Sequence, residues 1–121
     1  MLDGPCSGLG QRPSWQHMPD FKFIQETASY QRHLLLKAVQ LLAVGGRLVY
    51  STCSISREEN EDNVSWILLE CPRLRLLERS QTGIMHGQPG IGFKMEWSIH
   101  RFEPWDEYDT IGFFIACFQL F

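Results

Sequence analysis

The order of elements along this chain predicts an α/β fold, half of an α/β sandwich in which a sheet is covered by helices. Three observations carry that prediction. Apolar residues recur at helical spacing between Ser29 and Val44, a short apolar run at Leu48-Val49-Tyr50 leads straight into Thr52-Cys53-Ser54, and Gly112 to Phe118 reads as a buried strand.

Each element follows from local chemistry. The chain begins with two apolar residues, Met1-Leu2, before Asp3 and a turn rich in Gly, Pro and Ser, which reads as the end of a strand. From Gln11 to Thr27 the pattern is irregular, with Pro13 and Pro19 inside it, and a loop with at most a short helical turn is expected. Leu34, Leu35, Ala38, Val39, Leu41 and Leu42 then mark a helix stopped by Gly45-Gly46. After the strand that ends at Cys53, Ser56 and Glu59 have the spacing of a capping box, which predicts a helix from there to about Glu70 with Val64, Ile67 and Leu68 inward. Leu74 and Leu76 alternate with arginines as in a half-exposed strand. Ser80 to Trp97, with four glycines and a proline, reads as a flexible excursion.

The composition limits what such a fold does. With 121 residues, 11 Lys plus Arg against 14 Asp plus Glu, and a formal charge of −3, the chain is one domain at most and lacks the cationic excess of a self-sufficient nucleic-acid binder. Met1 to Gly10 contain no continuous apolar stretch, so no secretory leader is expected; the expected compartment is intracellular, the cytoplasm. Ile111 to Phe121 is about half the length a bilayer requires, and no membrane span is expected. Cys6, Cys53, Cys71 and Cys117 form no CxxC pair, which predicts neither a disulfide framework nor a zinc site. The four histidines are scattered without ligand spacing, and no metal is expected.

In open α/β sheets ligands sit at the carboxyl ends of parallel strands, and Asp3 and Cys53 each lie at such an end. Two reactive groups are therefore expected to converge. Asp3-Gly4-Pro5-Cys6-Ser7-Gly8-Leu9-Gly10 and Tyr50-Ser51-Thr52-Cys53-Ser54-Ile55, with Glu59-Asn60-Glu61 behind the second, resemble the two signature cysteine motifs of the RNA cytosine carbon-5 methyltransferases, the Fmu/Sun or NSUN class. The resemblance extends through Gln31 to Leu35, Gly45 to Tyr50, Arg101 to Pro104 and Asp109 to Ala116, leaving Thr82 to Ile99 unmatched. Gly10 to Pro13 and Ile111 to Phe114 look most like the sixth, transfer-RNA-methylating member of that class.

The resemblance implies the carboxyl-terminal half of a Rossmann-like class I methyltransferase sheet, mixed, with a final antiparallel strand. It implies S-adenosylmethionine as cofactor and RNA, in particular tRNA, as substrate. Cys53 would be the nucleophile that adds to carbon 6 of cytosine, and Cys6 the thiol that resolves the adduct and contacts the substrate. Asp3 would contact both base and cofactor, and the carbonyl at Pro5 would accept from the cytosine amine. Cys71 and Cys117 would be core or surface thiols. Glu58 to Asp62 is most simply a solvated first helical turn, with Asn60 bracing the Cys53 loop. Members of the class carry a glycine-rich cofactor loop and an acidic residue well before the Asp3 position. Neither is in this sequence, so residues 1–121 are expected to be a partial methyltransferase domain that needs the missing half as its partner. The alternative is a catalytically inactive fragment acting as a weak RNA- or protein-binding module.

Overall fold

The computed structural model describes residues 2–3, 6–7, 20–84, 86–90, 98–104 and 112–121, the first pair through the backbone alone. The elements are β1 (Leu2–Asp3), α1 (Phe21–Gln40), β2 (Arg47–Thr52), α2 (Glu61–Glu70), β3 (Leu74–Leu76), α3 (Arg79–Thr82), β4 (Ile99–Phe102) and β5 (Phe113–Leu120). The centre of the sheet is β5, which pairs antiparallel with β2 along one edge and, along the other, with β4 through its first half and β3 through its second. β1 runs parallel to β2, with Leu2 opposite Tyr50 and Asp3 opposite Ser51. The sheet is thus mixed, and its last strand is the antiparallel one.

Strand register explains the core. Directly opposed residues share a face of the sheet, so Leu48, Phe118 and Leu76 form one row, and Tyr50, Ala116 and Ile99 form the next. These side chains meet Leu35 and Val39 of α1 and Val64 and Ile67 of α2 in a single apolar cluster. Burying each large member is worth about 1.5–3 kcal/mol. The third row is Thr52, Phe114 and Arg101, so a guanidinium leaves the sheet on the helix-covered face. Its partner is a carboxylate on α2, described below.

Helix α1 starts at Phe21, well ahead of the Ser29 expected from periodicity. Asp20 caps it, its Oδ1 accepting from the Phe23 N–H at 2.8 Å, a bond worth about 1 kcal/mol. The buried stripe is Ile24, Ala28, Gln31, Leu35 and Val39. Its first turns are disguised in sequence because Phe21, Phe23 and Tyr30 are exposed, so aromatic residues lie off the buried stripe. The helix ends at Gln40, and the return to β2 passes through Gly45, whose φ of +80° suits glycine. There the Gly45 N–H donates to the Leu120 carbonyl and closes the turn against β5.

Helix α2 also departs from expectation, beginning at Glu61 and not at the Ser56 box. Half of that box exists: the Glu59 N–H donates to Ser56 Oγ at 3.3 Å. The reciprocal half does not, because the Glu59 carboxylate turns inward and the Ser56 N–H donates to Ser54 Oγ instead. Pro72 follows the helix, and β3 alternates buried Leu74 and Leu76 with exposed Arg75 as expected.

The segment after β3 is more ordered than its glycines suggest. Arg79 to Thr82 form a helical turn, and the Arg79 guanidinium donates to the carbonyls of Gly87, Gln88 and Ile99. Gln88 bridges Arg101 through both backbone groups. Met85 and residues 91–97 of the expected excursion lie outside the described residues. Among the described residues no helix is long and apolar enough to cross a membrane.

Candidate active site

The carboxyl ends of β1 and β2 lie side by side, because Asp3, the last residue of β1, is in register with Ser51, and Cys53 directly follows β2. The loop after β1 brings Cys6 back to Cys53: their Cα atoms are 6.5 Å apart across 47 residues, and the sulfurs pair as a disulfide. That pairing corrects the expectation drawn from cysteine spacing. Spacing describes neighbours in sequence, whereas these two thiols meet because two adjacent strands end at one place. Cys6 also lines a pocket of about 270 Å³ with Phe23, Glu26, Thr27 and Tyr30 of α1. Pro5, Gly4 and Gly8 lie outside the described residues, as does the side chain of Asp3.

The two cysteine loops are joined by a buried carboxylate. Glu59 is fully buried, and its Oε2 accepts from the hydroxyls of Ser7, Ser54 and Ser56, each at 2.6 Å. Its Oε1 accepts from the Ser7 N–H at 2.7 Å and from Gln31 Nε2 at 3.2 Å. A carboxylate, which only accepts, matches this ring of donors. Gln31 is itself oriented: its Oε1 accepts from Asn63 Nδ2 at 3.1 Å and from the Tyr50 hydroxyl at 3.2 Å. That hydroxyl also lies 2.6 Å from the Glu59 carbonyl, and burial pushes the phenol well above its usual range. Tyr50 is thus a neutral donor in a closed network.

Asn60 braces the Cys53 loop as the resemblance implies, accepting from Thr52 Oγ1 at 2.5 Å and donating to the Ser54 carbonyl at 2.8 Å. One position on, Glu61 meets Arg101 in a two-pronged ion pair at 2.9 and 3.0 Å. Arg101 also donates to the Ile55 carbonyl, tying β4 to the same loop. The acidic run is therefore no solvated helical turn: Glu59, Asn60 and Glu61 are all buried, while Glu58 and Asp62 are only half-buried. In sequence Glu59 reads as a capping residue and as part of the motif behind Cys53, not as the acceptor that joins the two loops. The signal that it does more was the cluster of Ser54 and Ser56 just before it.

Cys71 and Cys117 lie away from this site. Burial raises the pKa of both thiols, with Glu70 adding to the effect at Cys71 and Arg47 opposing it at Cys117. A raised pKa lowers the thiolate fraction, which suits structural thiols. Among the described residues no three His, Cys, Asp or Glu side chains come together as a metal site.

A mixed α/β sheet with two cysteines and a buried carboxylate at adjacent strand ends defines a thiol-bearing site of the strand-end type. The profile of the family described as 16S rRNA methyltransferase RsmB/F matches residues 1–119, and the chain belongs to that family. It is 43% identical over 116 residues to a tRNA (cytosine(72)-C(5))-methyltransferase of Pyrococcus horikoshii, covering 96% of this chain and 28% of the relative. Against the human tRNA (cytosine(72)-C(5))-methyltransferase NSUN6 the identity is 43% over 109 residues, 86% of this chain and 23% of that protein. The crystal structure of NSun6 from Pyrococcus horikoshii with SFG superposes with a TM-score of 0.85 at 42% identity, over 98% of this chain and 29% of that one. The chain therefore spans under a third of the length of each of these relatives.

Proposed function

We propose that this chain carries the two-thiol half of an RNA cytosine carbon-5 methyltransferase site and works as part of a larger domain. The observation that carries this reading is the meeting of Cys6 and Cys53 at the ends of adjacent parallel strands. Relatives named for tRNA cytosine methylation favour a tRNA substrate. Attack by one thiol and release assisted by another divides a hard substitution at an electron-poor ring into easier steps.

In this reading the Cys53 thiolate adds to carbon 6 of the target cytosine, and the electron pair displaced from the ring double bond makes carbon 5 nucleophilic. S-adenosylmethionine, when bound, supplies the electrophilic methyl group that carbon 5 takes. Asp3 holds a proton or hydrogen bond at the ring nitrogen and so stabilises the electron-rich adduct. The Pro5 carbonyl accepts from the exocyclic amine. Cys6 then takes the proton from carbon 5 as base, the freed electron pair re-forms the ring double bond, and the carbon–sulfur bond at carbon 6 breaks so that Cys53 leaves as thiolate. An orphaned polar atom supports a polar ligand beside Asp3: Ser51 Oγ, on the residue in register with it, is buried without a partner among the described residues. A polar group left unpaired at a strand end fits a cofactor such as the SFG of the related structure, an analogue of S-adenosylmethionine.

The chemistry needs both sulfurs reduced, which suits a thiol-reducing cytoplasm; the disulfide form withholds the nucleophile. The test is a labelled methyl transfer to bulk RNA by this chain joined to the rest of its domain, under reducing conditions. Cys53→Ala should abolish both methylation and the covalent RNA adduct, whereas Cys6→Ala should let adduct accumulate on denaturing gels. Adduct with Cys53→Ala and none with Cys6→Ala would reverse the two roles.

A further inference from the structure

We propose that Glu59 is the positioning residue of this site, acting through Ser7 and Ser54 to clamp the Cys6 loop against the Cys53 loop. The catalytic meaning of the clamp rests on the function proposed above; the clamp itself rests on geometry. Ser7 directly follows Cys6, and Ser54 directly follows Cys53. Glu59 Oε2 accepts from both hydroxyls at 2.6 Å, so one oxygen atom joins the two loops. The hydroxyls also lie 3.4 Å from each other.

The backbone contact is the sharper one. The Ser7 N–H belongs to the same rigid peptide plane as the Cys6 carbonyl, so its 2.7 Å bond to Oε1 fixes the main chain immediately beside the Cys6 Cα. On the other side, the Ser54 hydroxyl and the Asn60 bond to the Ser54 carbonyl fix the main chain beside Cys53. Glu59 is in turn held from α1 by Gln31 and from its own segment by Ser56. A carboxylate with this many oriented donors in a buried setting has little freedom to move.

Replacement has a graded consequence. In Glu59→Gln the amide oxygen can keep the Oε1 place, where the Ser7 N–H and the Gln31 amide both donate. The amide nitrogen then faces three hydroxyls, which can turn to accept, but it has two hydrogens to give. Glu59→Ala removes the acceptor entirely, and with it the bonds from the Ser7 N–H, Gln31 and the three hydroxyls.

The experiment measures how strongly the fold holds the two thiols together. The equilibrium between the Cys6–Cys53 disulfide and reduced and oxidised glutathione gives their effective concentration, read by mass spectrometry of the Cys6–Cys53 peptide pair, in the native chain and in denaturant. The native chain should exceed the denatured one. Glu59→Ala should lower the native value by about tenfold or more, as loss of a buried acceptor's bonds implies, with Glu59→Gln between the two. Leu35→Ala, which destabilises the core away from both loops, should leave the value unchanged. Ser7→Ala, at a half-buried position that spares the core, should lower it by a smaller factor and serves if Glu59→Ala does not fold. The proposal is overturned if the native value does not exceed the denatured one, if Glu59 and Ser7 variants keep it, or if Leu35→Ala lowers it as far as Glu59→Ala does. No RNA or methyl donor enters this measurement, so the clamp can fail while methyl transfer succeeds, and the reverse.

Discussion

Helix α2 is buried in two different ways along its length. Its approach and first turn bury Glu59, Asn60, Glu61 and Asn63, all satisfied by hydrogen bonds or an ion pair, while its later turns bury Val64 and Ile67 against the apolar sheet. Apolar contact rewards any close packing and is indifferent to direction, so the second region supplies stability. Buried polar groups give little net energy for their desolvation but demand defined partners in defined directions. The polar region is also the one from which the Cys6 and Cys53 loops hang. Fixed geometry is placed where two sulfurs must meet, and adaptable packing where only cohesion is needed.

The largest effects should separate the two regions. Phe118→Ala, at a fully buried position in the middle of β5, should cost about 3–5 kcal/mol through lost transfer energy and a cavity. Glu61→Ala should cost somewhat less, about 1–3 kcal/mol, because Arg101 would lose its buried partner on α2 and keep only Glu103, at 3.3 Å. The contrast lies in the double change. Glu61→Met with Arg101→Leu should recover most of the loss, since replacing a buried pair by apolar groups of similar volume is often neutral. Urea unfolding of the three variants checks this, and a double variant as unstable as Glu61→Ala would mean that the polar region carries stability after all.

A pH effect should come from the opposite face of the sheet. His100 is fully buried on β4, and its pKa is lowered mainly by that burial, with Arg79 contributing and the bond to the His86 carbonyl opposing. The neutral ring donates from Nδ1 to the His86 carbonyl at 2.9 Å and keeps Nε2 unprotonated, 3.1 Å from Thr82 Oγ1. With the folded pKa below the unfolded value of 6.5, the unfolded chain binds the extra proton first. This part of the stability is therefore whole above that value and is lost as pH falls through it toward the folded pKa. The urea midpoint should fall on going from about pH 7 to about pH 5, and His100→Asn should flatten that slope. An unchanged slope in the variant would remove His100 as its source.

What could be read from the sequence follows the same division. The apolar strands β2 and β5, the alternation in β3 and the later turns of both helices were legible because burial of apolar groups leaves a periodic trace. Strand β4 was not, because Ile99-His100-Arg101-Phe102 buries a histidine and an arginine, residues whose presence ordinarily marks a surface. The start of α1 was hidden by exposed aromatics, and the start of α2 by a Glu59 that serves the cysteine loops in place of the helix cap. Of the site, the two cysteine motifs were legible as chemistry and as a family likeness. Their carboxylate clamp was not, since a sequence shows which groups accept hydrogen bonds but not that residues 52 apart supply the donors.

The smallest effect falls on β2, at the one buried side-chain polar atom without a partner among the described residues. Ser51 is buried at the carboxyl end of β2, and its Oγ is without a partner among the described residues. Its backbone is held on both sides, opposite Asp3 in β1 and Ile115 in β5, so the side chain has no part in keeping the strand in place. A buried hydroxyl that makes no bond costs its desolvation without return. Removing it changes volume by a single oxygen atom and leaves the ladder intact. Ser51→Ala should therefore be neutral or stabilising by up to about 1 kcal/mol in the chain without ligands, read as the shift in urea midpoint at constant slope. The neighbouring Thr52→Ala should instead destabilise, because Thr52 Oγ1 donates to Asn60 and would leave that amide oxygen unpaired. If Ser51→Ala proved as costly as Thr52→Ala, the Ser51 hydroxyl would have to be partnered in the folded chain, and it would no longer support a polar ligand at this strand end.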